Sequence, residues 1–276
     1  MSFCVKGLSY SYPTSKSPVL KDLNFDIKKG QLTALIGNNG CGKTTLCSIL
    51  RGFIPQFYKG NLSGEISLDG KELSTYSSYE LASKVGYVFQ NPFTQVSGVK
   101  DNVFDELAYG LENLGVDEQS IIKRCEEMLA LLKIAHLRDR HPQSLSGGQR
   151  QMLALGSIII MEPEILIIDE PTSQLDPEAS ASVFDVIKLM KEKGKTIILS
   201  EHKMDLLARY ADDFLLLHEG EIVLKGSAAE VFSQAQGYDV LVPHVSELAW
   251  ELTQQGRALN FFPIKNEELA QSIAHA

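Results

Sequence analysis

An α/β domain built on a parallel sheet is what the sequence predicts, and two stretches predict it. In the first, the apolar strand-type run Leu32 to Ile36 leads into Gly37-Asn38-Asn39-Gly40-Cys41-Gly42-Lys43-Thr44. A helix-competent segment, Thr45 to Leu50, then follows. The octapeptide fits the phosphate-binding pattern G-x-x-x-x-G-K-[ST], and it sits in the strand, loop and helix context that pattern requires. The second stretch runs from Ile165 to Leu199. Apolar strands at Ile165 to Ile168 and Thr196 to Leu199 flank an amphipathic helix from Pro177 to about Lys193. Two strands joined through a helix form a βαβ unit, whose strands run parallel.

The other elements follow in order. Residues 2–10 and 19–27 alternate apolar and polar side chains around a turn at Pro13 to Pro18, and Gly64 to Gly70 adds a short strand with its turn, so an antiparallel β lobe is expected. Val85 to Phe89 is a buried-type strand ending at Gln90 before the Asn91-Pro92 breaker. From Lys100 to about Ile134 the period becomes helical, with Val103, Leu107, Leu111 and Leu114 on one face and Ile122, Cys125, Leu129 and Leu132 on another. A further helix starts near Gly148 and runs through Met152, Leu155 and Ile159. Phe214 to Leu217 and Glu221 to Leu224 form a hairpin around Glu219-Gly220. Short helices are expected at 228–234, 245–255 and 267–274. No internal repeat or low-complexity tract is present.

Composition bounds the chemistry. The 276 residues, 44% hydrophobic and 22% charged, describe an ordinary globular chain, large enough for one sizeable domain with an appendage. A formal net charge of −9 opposes nonspecific attraction to nucleic acid, so no nucleic-acid partner is expected. Cys4, Cys41, Cys47 and Cys125 show no C-x-x-C pair and no ligand spacing with histidine, which points away from zinc or a disulfide framework and toward a reducing compartment. The start Met1-Ser2-Phe3-Cys4-Val5-Lys6 lacks the layout of a signal peptide, and no apolar run reaches the ~18 residues of a membrane span.

Three groups of residues carry the chemistry. Glycines at 37, 40 and 42 let backbone N–H groups approach phosphate oxygens at a helix N-terminus, Lys43 adds a full charge, and the Thr44 hydroxyl can ligate Mg²⁺. Asp169 and Glu170 end a fully apolar strand, where open α/β sheets place ligands. Asp169 is expected to orient the metal, and Glu170 to accept a proton from attacking water. Read alone, the pair is equally a strand cap before Pro171. Leu145-Ser146-Gly147-Gly148-Gln149 precedes a helix, so Ser146 and the glycines can present N–H groups to an anion. Read alone, it is a turn with a helix cap.

In order and spacing, these residues resemble the nucleotide-binding subunit of ATP-binding-cassette (ABC) transporters over residues 1 to about 226. The resemblance implies a P-loop NTPase of the ABC ATPase fold: a RecA-like parallel-sheet core, the antiparallel β lobe and a helical subdomain at about 91–160. A small C-terminal helical tail, 227–276, follows, with dimerisation as its expected role. It implies that Tyr12 stacks on adenine, that Gly37 to Thr45 is the Walker A loop, and that Gln90 touches Mg²⁺ and senses a membrane partner. Ser146, Gly147, Gly148 and Gln149 become the signature, which completes the opposite subunit's site. Asp169 and Glu170 become Walker B and the catalytic glutamate, Ser173 to Asp176 the D-loop, and His202 the switch histidine at the γ-phosphate. Lys43, Glu170 and His202 are then the catalytic set, Thr44, Gln90 and Asp169 the metal set, and ATP and Mg²⁺ the bound groups.

Two positions depart from the family's usual pattern. Cys41 stands where serine is common, and as a small spacer beside Lys43 it is expected to be sensitive to alkylation. Ser200-Glu201-His202 replaces a threonine directly before the histidine. Phe89-Gln90-Asn91-Pro92 and the run Val103 to Gly115 look like the ATPases of energy-coupling-factor transporters, importers of vitamins and metal ions. The implied function is an ATP-hydrolysing motor on the cytoplasmic face of the cell membrane. It would be bound peripherally to integral-membrane transporter subunits and to a second ABC ATPase, identical or not. A soluble ABC ATPase acting on DNA or the ribosome is the alternative, and the acidic charge counts against it. A non-enzymatic nucleotide sensor is a third reading, which Glu170 and His202 oppose.

Overall fold

Phe3–Ser11 (β1) opens the chain in the computed structural model, which describes residues 2–273. Strict alternation does not survive along this strand. Phe3 and Val5 are buried, then Leu8 and Tyr10, because the ladder slips between Val5 and Leu8, where Gly7 takes a φ of 61°. The slip keeps every large apolar residue on one face. Leu20–Ile27 (β2) pairs antiparallel with β1, Phe3 opposite Ile27. Leu32–Ile36 (β3) is buried at all five positions and feeds the helix Lys43–Leu50 (α1). Asn61–Leu68 (β4) lines the other side of β1 and starts three residues earlier than the sequence suggests. The turn Asp69-Gly70, with φ of 50° and 80°, returns it to Lys71–Glu72 (β5), an edge strand too short for pattern reading. The lobe has the order β2-β1-β4-β5.

The chain divides into two compact units, residues 2–76 with 198–273 and residues 77–197. The second unit begins with Ser78–Lys84 (α2), capped by Ser77 and Glu80 in a reciprocal box, then Val85–Val88 (β6). Val103–Asn113 (α3), Glu118–Leu131 (α4) and Gly147–Ile159 (α5) form the expected helical region. Asn102 and Asp117 cap the first two by accepting N–H bonds from Asp105 and Ser120. On α4, Cys125, Met128 and Leu129 are buried, whereas Ile122, expected on the buried face, is 46% exposed. The buried stripe begins one turn later than periodicity suggests. Side chains pack directly onto Gly156: a Cβ there would run into the Leu132 side chain and crowd that of Leu107 at 3.2 Å. Ile165–Asp169 (β7) pairs parallel with β6 in the register Val85 to Ile165, and Pro177–Glu192 (α6) follows with Asp176 as its cap.

Thr196–Ser200 (β8) carries the chain back to the first unit. There Met204–Tyr210 (α7) precedes Asp213–His218 (β9) and Glu221–Gly226 (β10). β9 runs parallel to β3, Ala34 opposite Phe214, and β10 closes the expected antiparallel hairpin on it. Ala228–Gln234 (α8) and His244–Gln254 (α9) fall where the sequence places them. Where a helix is expected at 267–274, a 3₁₀ turn, Asn266–Glu268, leads into one helical turn, Leu269–Ser272, and position 274 lies outside the described residues. Among the described residues no helix is long and apolar enough to cross a membrane.

Candidate nucleotide site

The loop from Gly37 to Thr44 is built around backbone conformations that only glycine adopts freely. Gly37, Gly40 and Gly42 have φ of 147°, 79° and 113°. At Gly37 a Cβ would collide with the Leu217 carbonyl and lie 2.8 Å from Cys41 Sγ, so a second constraint, close packing on β9, reinforces the first. Lys43 is only 4% exposed. Its Nζ donates to the carbonyls of Gly37 at 2.8 Å and Asn38 at 3.1 Å, which folds the ammonium over the loop. Asn38, Asn39, Gly40 and Thr44 are exposed, while Cys41 and Thr45 are buried. Tyr12 stands beside α1: its hydroxyl and Thr45 Oγ1 lie 3.0 Å apart, and its ring packs edge-on against Tyr10 at 5.0 Å. Tyr12 and the loop are therefore neighbours. The arrangement suits a polyphosphate, with a bent glycine backbone, a helix N-terminus and one ammonium converging.

In the second unit, Asp169 is buried at the end of β7 and accepts a hydrogen bond from the buried Tyr87 hydroxyl at 3.2 Å. Tyr87 was not singled out in the sequence, because a tyrosine in an apolar strand carries no periodic signal. Glu170, 8% exposed, has a φ of 43°, in the left-handed region. Its Oε2 accepts from Gln90 Nε2 at 2.8 Å, so the strand-end glutamine and the candidate base are brought together. The turn after Gln90 is held in place: the Gln95 amide accepts from Phe89 N at 3.0 Å and donates to the Tyr87 carbonyl at 3.3 Å. Among the described residues no group of three or more His, Cys, Asp or Glu side chains forms a metal cluster. Asp169 and Gln90 in this unit carry a carboxylate and an amide oxygen, and Thr44 in the first unit carries a hydroxyl, hard oxygen donors of the kind Mg²⁺ takes.

Ser146 caps α5 with its side chain accepting from Gln149 N, while Gln149 Oε1 accepts from Ser146 N at 3.1 Å. The cap leaves the first N–H groups of a 13-residue helix facing outward. Gly148 is held close to α6, where a Cβ would sit 3.1 Å from that of Ala179. Ser146 to Gln149 line a cavity of about 730 Å³ together with Gln174, Leu175 and Asp176. Arg150, which sequence reading passed over as one polar residue in a helix, is 7% exposed. It donates to the carbonyls of Pro142, Gln143 and Leu145 at 3.4, 2.8 and 3.1 Å.

His202, after β8, is half-buried, and its backbone N–H donates to the carboxylate of the buried Glu201 at 2.9 Å. All four cysteines are unbridged, and only Cys4 is appreciably exposed. Hydrogen bonding to Asp26 pushes the Cys4 thiol upward, and burial pushes that of Cys125 up to about 11.

The pattern of the ABC transporter family matches residues 20–173. A chain named as an ABC transporter ATP-binding protein in Methanosarcina mazei is 42% identical over 243 residues, 87% of this chain but 40% of its own length. The energy-coupling factor transporter ATP-binding protein EcfA1 of Lacticaseibacillus paracasei is 39% identical over 276 residues, 98% of this chain and 95% of its own. Among solved structures, cbiO1 of Clostridium perfringens, part of the ABC transporter complex cbiONQ, superposes with a TM-score of 0.75 at 32% identity, covering 92% of this chain and 96% of that one. With a matched pattern that spans more than half of it and an α/β fold shared with solved members, the chain belongs to the ABC transporter family of ATP-binding, ATP-hydrolysing proteins.

Proposed function

We propose that the chain is the motor subunit of a membrane importer of the energy-coupling-factor type, driving uptake of a vitamin or metal ion. Likeness to EcfA1 along nearly the whole of both chains supports the subtype, as does likeness to cbiO1. The observation that carries the catalytic part is the Gln90–Glu170 hydrogen bond, which ties the candidate base to the loop expected to meet a membrane subunit.

In this reading two such chains stand head to tail at the inner face of the cell membrane. The phosphate loop of one and Ser146-Gly147-Gly148 of the other share each ATP. Tyr12 lies against the adenine, Lys43 and the loop amides hold the phosphates, and His202 contacts the γ-phosphate. Thr44, Gln90 and Asp169 would hold Mg²⁺, which when bound neutralises phosphate charge and leaves a better-stabilised leaving group. Glu170 orients the attacking water and takes its proton, while Lys43 and the signature amides stabilise charge developing on the transferred phosphoryl group. Loss of the γ-phosphate removes what both halves grip, so they part. The Gln90 loop passes that change to the membrane subunits. Residues 227–276 serve dimerisation.

Purification of the full chain from its native membrane tests this reading. Co-elution with integral-membrane chains, and ATPase activity that rises when they are added, is the expected result. Co-elution with ribosomes or DNA in their place would overturn it.

A further inference from the structure

Arg150 is a buried cation whose hydrogen bonds go to main-chain carbonyls instead of a carboxylate. Its Nη2 reaches Gln143 O at 2.8 Å and Leu145 O at 3.1 Å, and its Nε reaches Pro142 O at 3.4 Å. Leu145 O belongs to the peptide that enters Ser146, so the fork sets the approach to the signature turn. The other face of the guanidinium lies under the ring of Phe93, 3.9 Å from its centroid. Phe93 is the second residue of the turn Pro92–Thr94, three positions after Gln90, and is 64% exposed. One planar group therefore touches the loop that follows Gln90 on one side and the turn that precedes Ser146 on the other. Arginine suits this place, because its flat fork bonds in the plane and stacks out of it, whereas lysine offers a single point charge.

We propose that Arg150 is a positioning residue that couples these two loops, so that displacement of Phe93 re-aims the amides of Ser146, Gly147 and Gly148. The proposal rests on the reading that those amides complete the nucleotide site of a second copy. A partner pressing on the exposed Phe93 ring would then alter catalysis in the opposite site without touching the phosphate loop.

Steady-state ATPase kinetics on the full chain test it. Arg150→Lys keeps the charge and loses the fork. It is expected to lower kcat about tenfold, as small misplacements of a reacting site do, while KM for ATP stays within about twofold because the phosphate loop is intact. Phe93→Ala, at a surface position, is expected to lower kcat as well, and the double variant to be no slower than Arg150→Lys alone. Parental kcat in a folded Arg150→Lys, a loss confined to KM, or independent multiplication of the two effects would overturn the coupling. If Arg150→Lys fails to fold, Phe93→Ala decides alone, and parental kcat there overturns it. Gly147→Asp separates this inference from the reading beneath it. An added Cβ at Gly147 meets nothing within 4 Å, so the variant folds and places a carboxylate where a phosphate should approach. Parental turnover in Gly147→Asp would take down the two-copy site itself. Lost turnover there, with parental kcat in Arg150→Lys, would take down only the coupling.

Discussion

Gln90 donates its side-chain amide to the Glu170 carboxylate at 2.8 Å, joining two residues 80 positions apart in the chain. The bond engages one oxygen of the candidate base, which is buried just past the end of β7. Replacing Glu170 with Gln keeps the size of the side chain and removes its basicity. Turnover should fall by roughly 10²- to 10⁴-fold. Nucleotide binding should persist, and an ATP-bound dimer should accumulate, visible by gel filtration. Hydrolysis at the parental rate would discredit Glu170 as base.

Gln90→Ala removes this donor from the Glu170 carboxylate. The expected outcome is a kcat lowered by about tenfold or more with little change in KM, since the phosphate loop is untouched. A rise in KM alone would place Gln90 in ground-state binding.

Lys43→Ala removes the ammonium that folds over the loop at Gly37 and Asn38. Charge-assisted contacts to phosphate are among the stronger hydrogen bonds, so nucleotide affinity should drop about 10- to 100-fold, as equilibrium titration with a fluorescent ATP analogue would measure. Unchanged affinity would exclude a direct contact.

The cysteines separate by environment. Cys41 is buried against Gly37, so a thiol reagent should inactivate slowly, and bound ATP should slow it further; equal labelling with and without ATP would remove Cys41 from the site. Cys125, with its thiol raised from 9.0 to about 11, should label only as the protein unfolds. The raised value also sets a pH dependence. Below about 9 the thiol is protonated in both states; between about 9 and 11 only the unfolded chain releases the proton, so stability falls through that window. Denaturation midpoints of the parent and Cys125→Ala across this range should converge as pH rises.

Much of the fold was legible because its signals are local. The glycine loop and the apolar runs of β3, β7 and β8 lie within a few residues of what they control. The helix α2 was not, although Ser77 and Glu80 spell a capping box, because it buries only Leu81 and so shows no period. Ile122 fits the period of α4 and still faces solvent, since pattern alone cannot tell where a neighbouring surface ends. The candidate site residues are read as types in order. Their second partners, Tyr87 on Asp169 and Arg150 on three carbonyls, come from segments distant in sequence or from residues ordinary in their own segment.

The left-handed backbone at Glu170 carries a cost that the rest of β7 does not. A non-glycine residue at φ 43° directly before Pro171 is held there by its surroundings, at roughly 1 kcal/mol or more. Glycine at 170 would relax that torsion while deleting the carboxylate. Glu170→Gly should therefore melt at a higher temperature than Glu170→Ala while both are equally inactive, because the chain sacrifices some of its thermal resilience to aim one acid at its target.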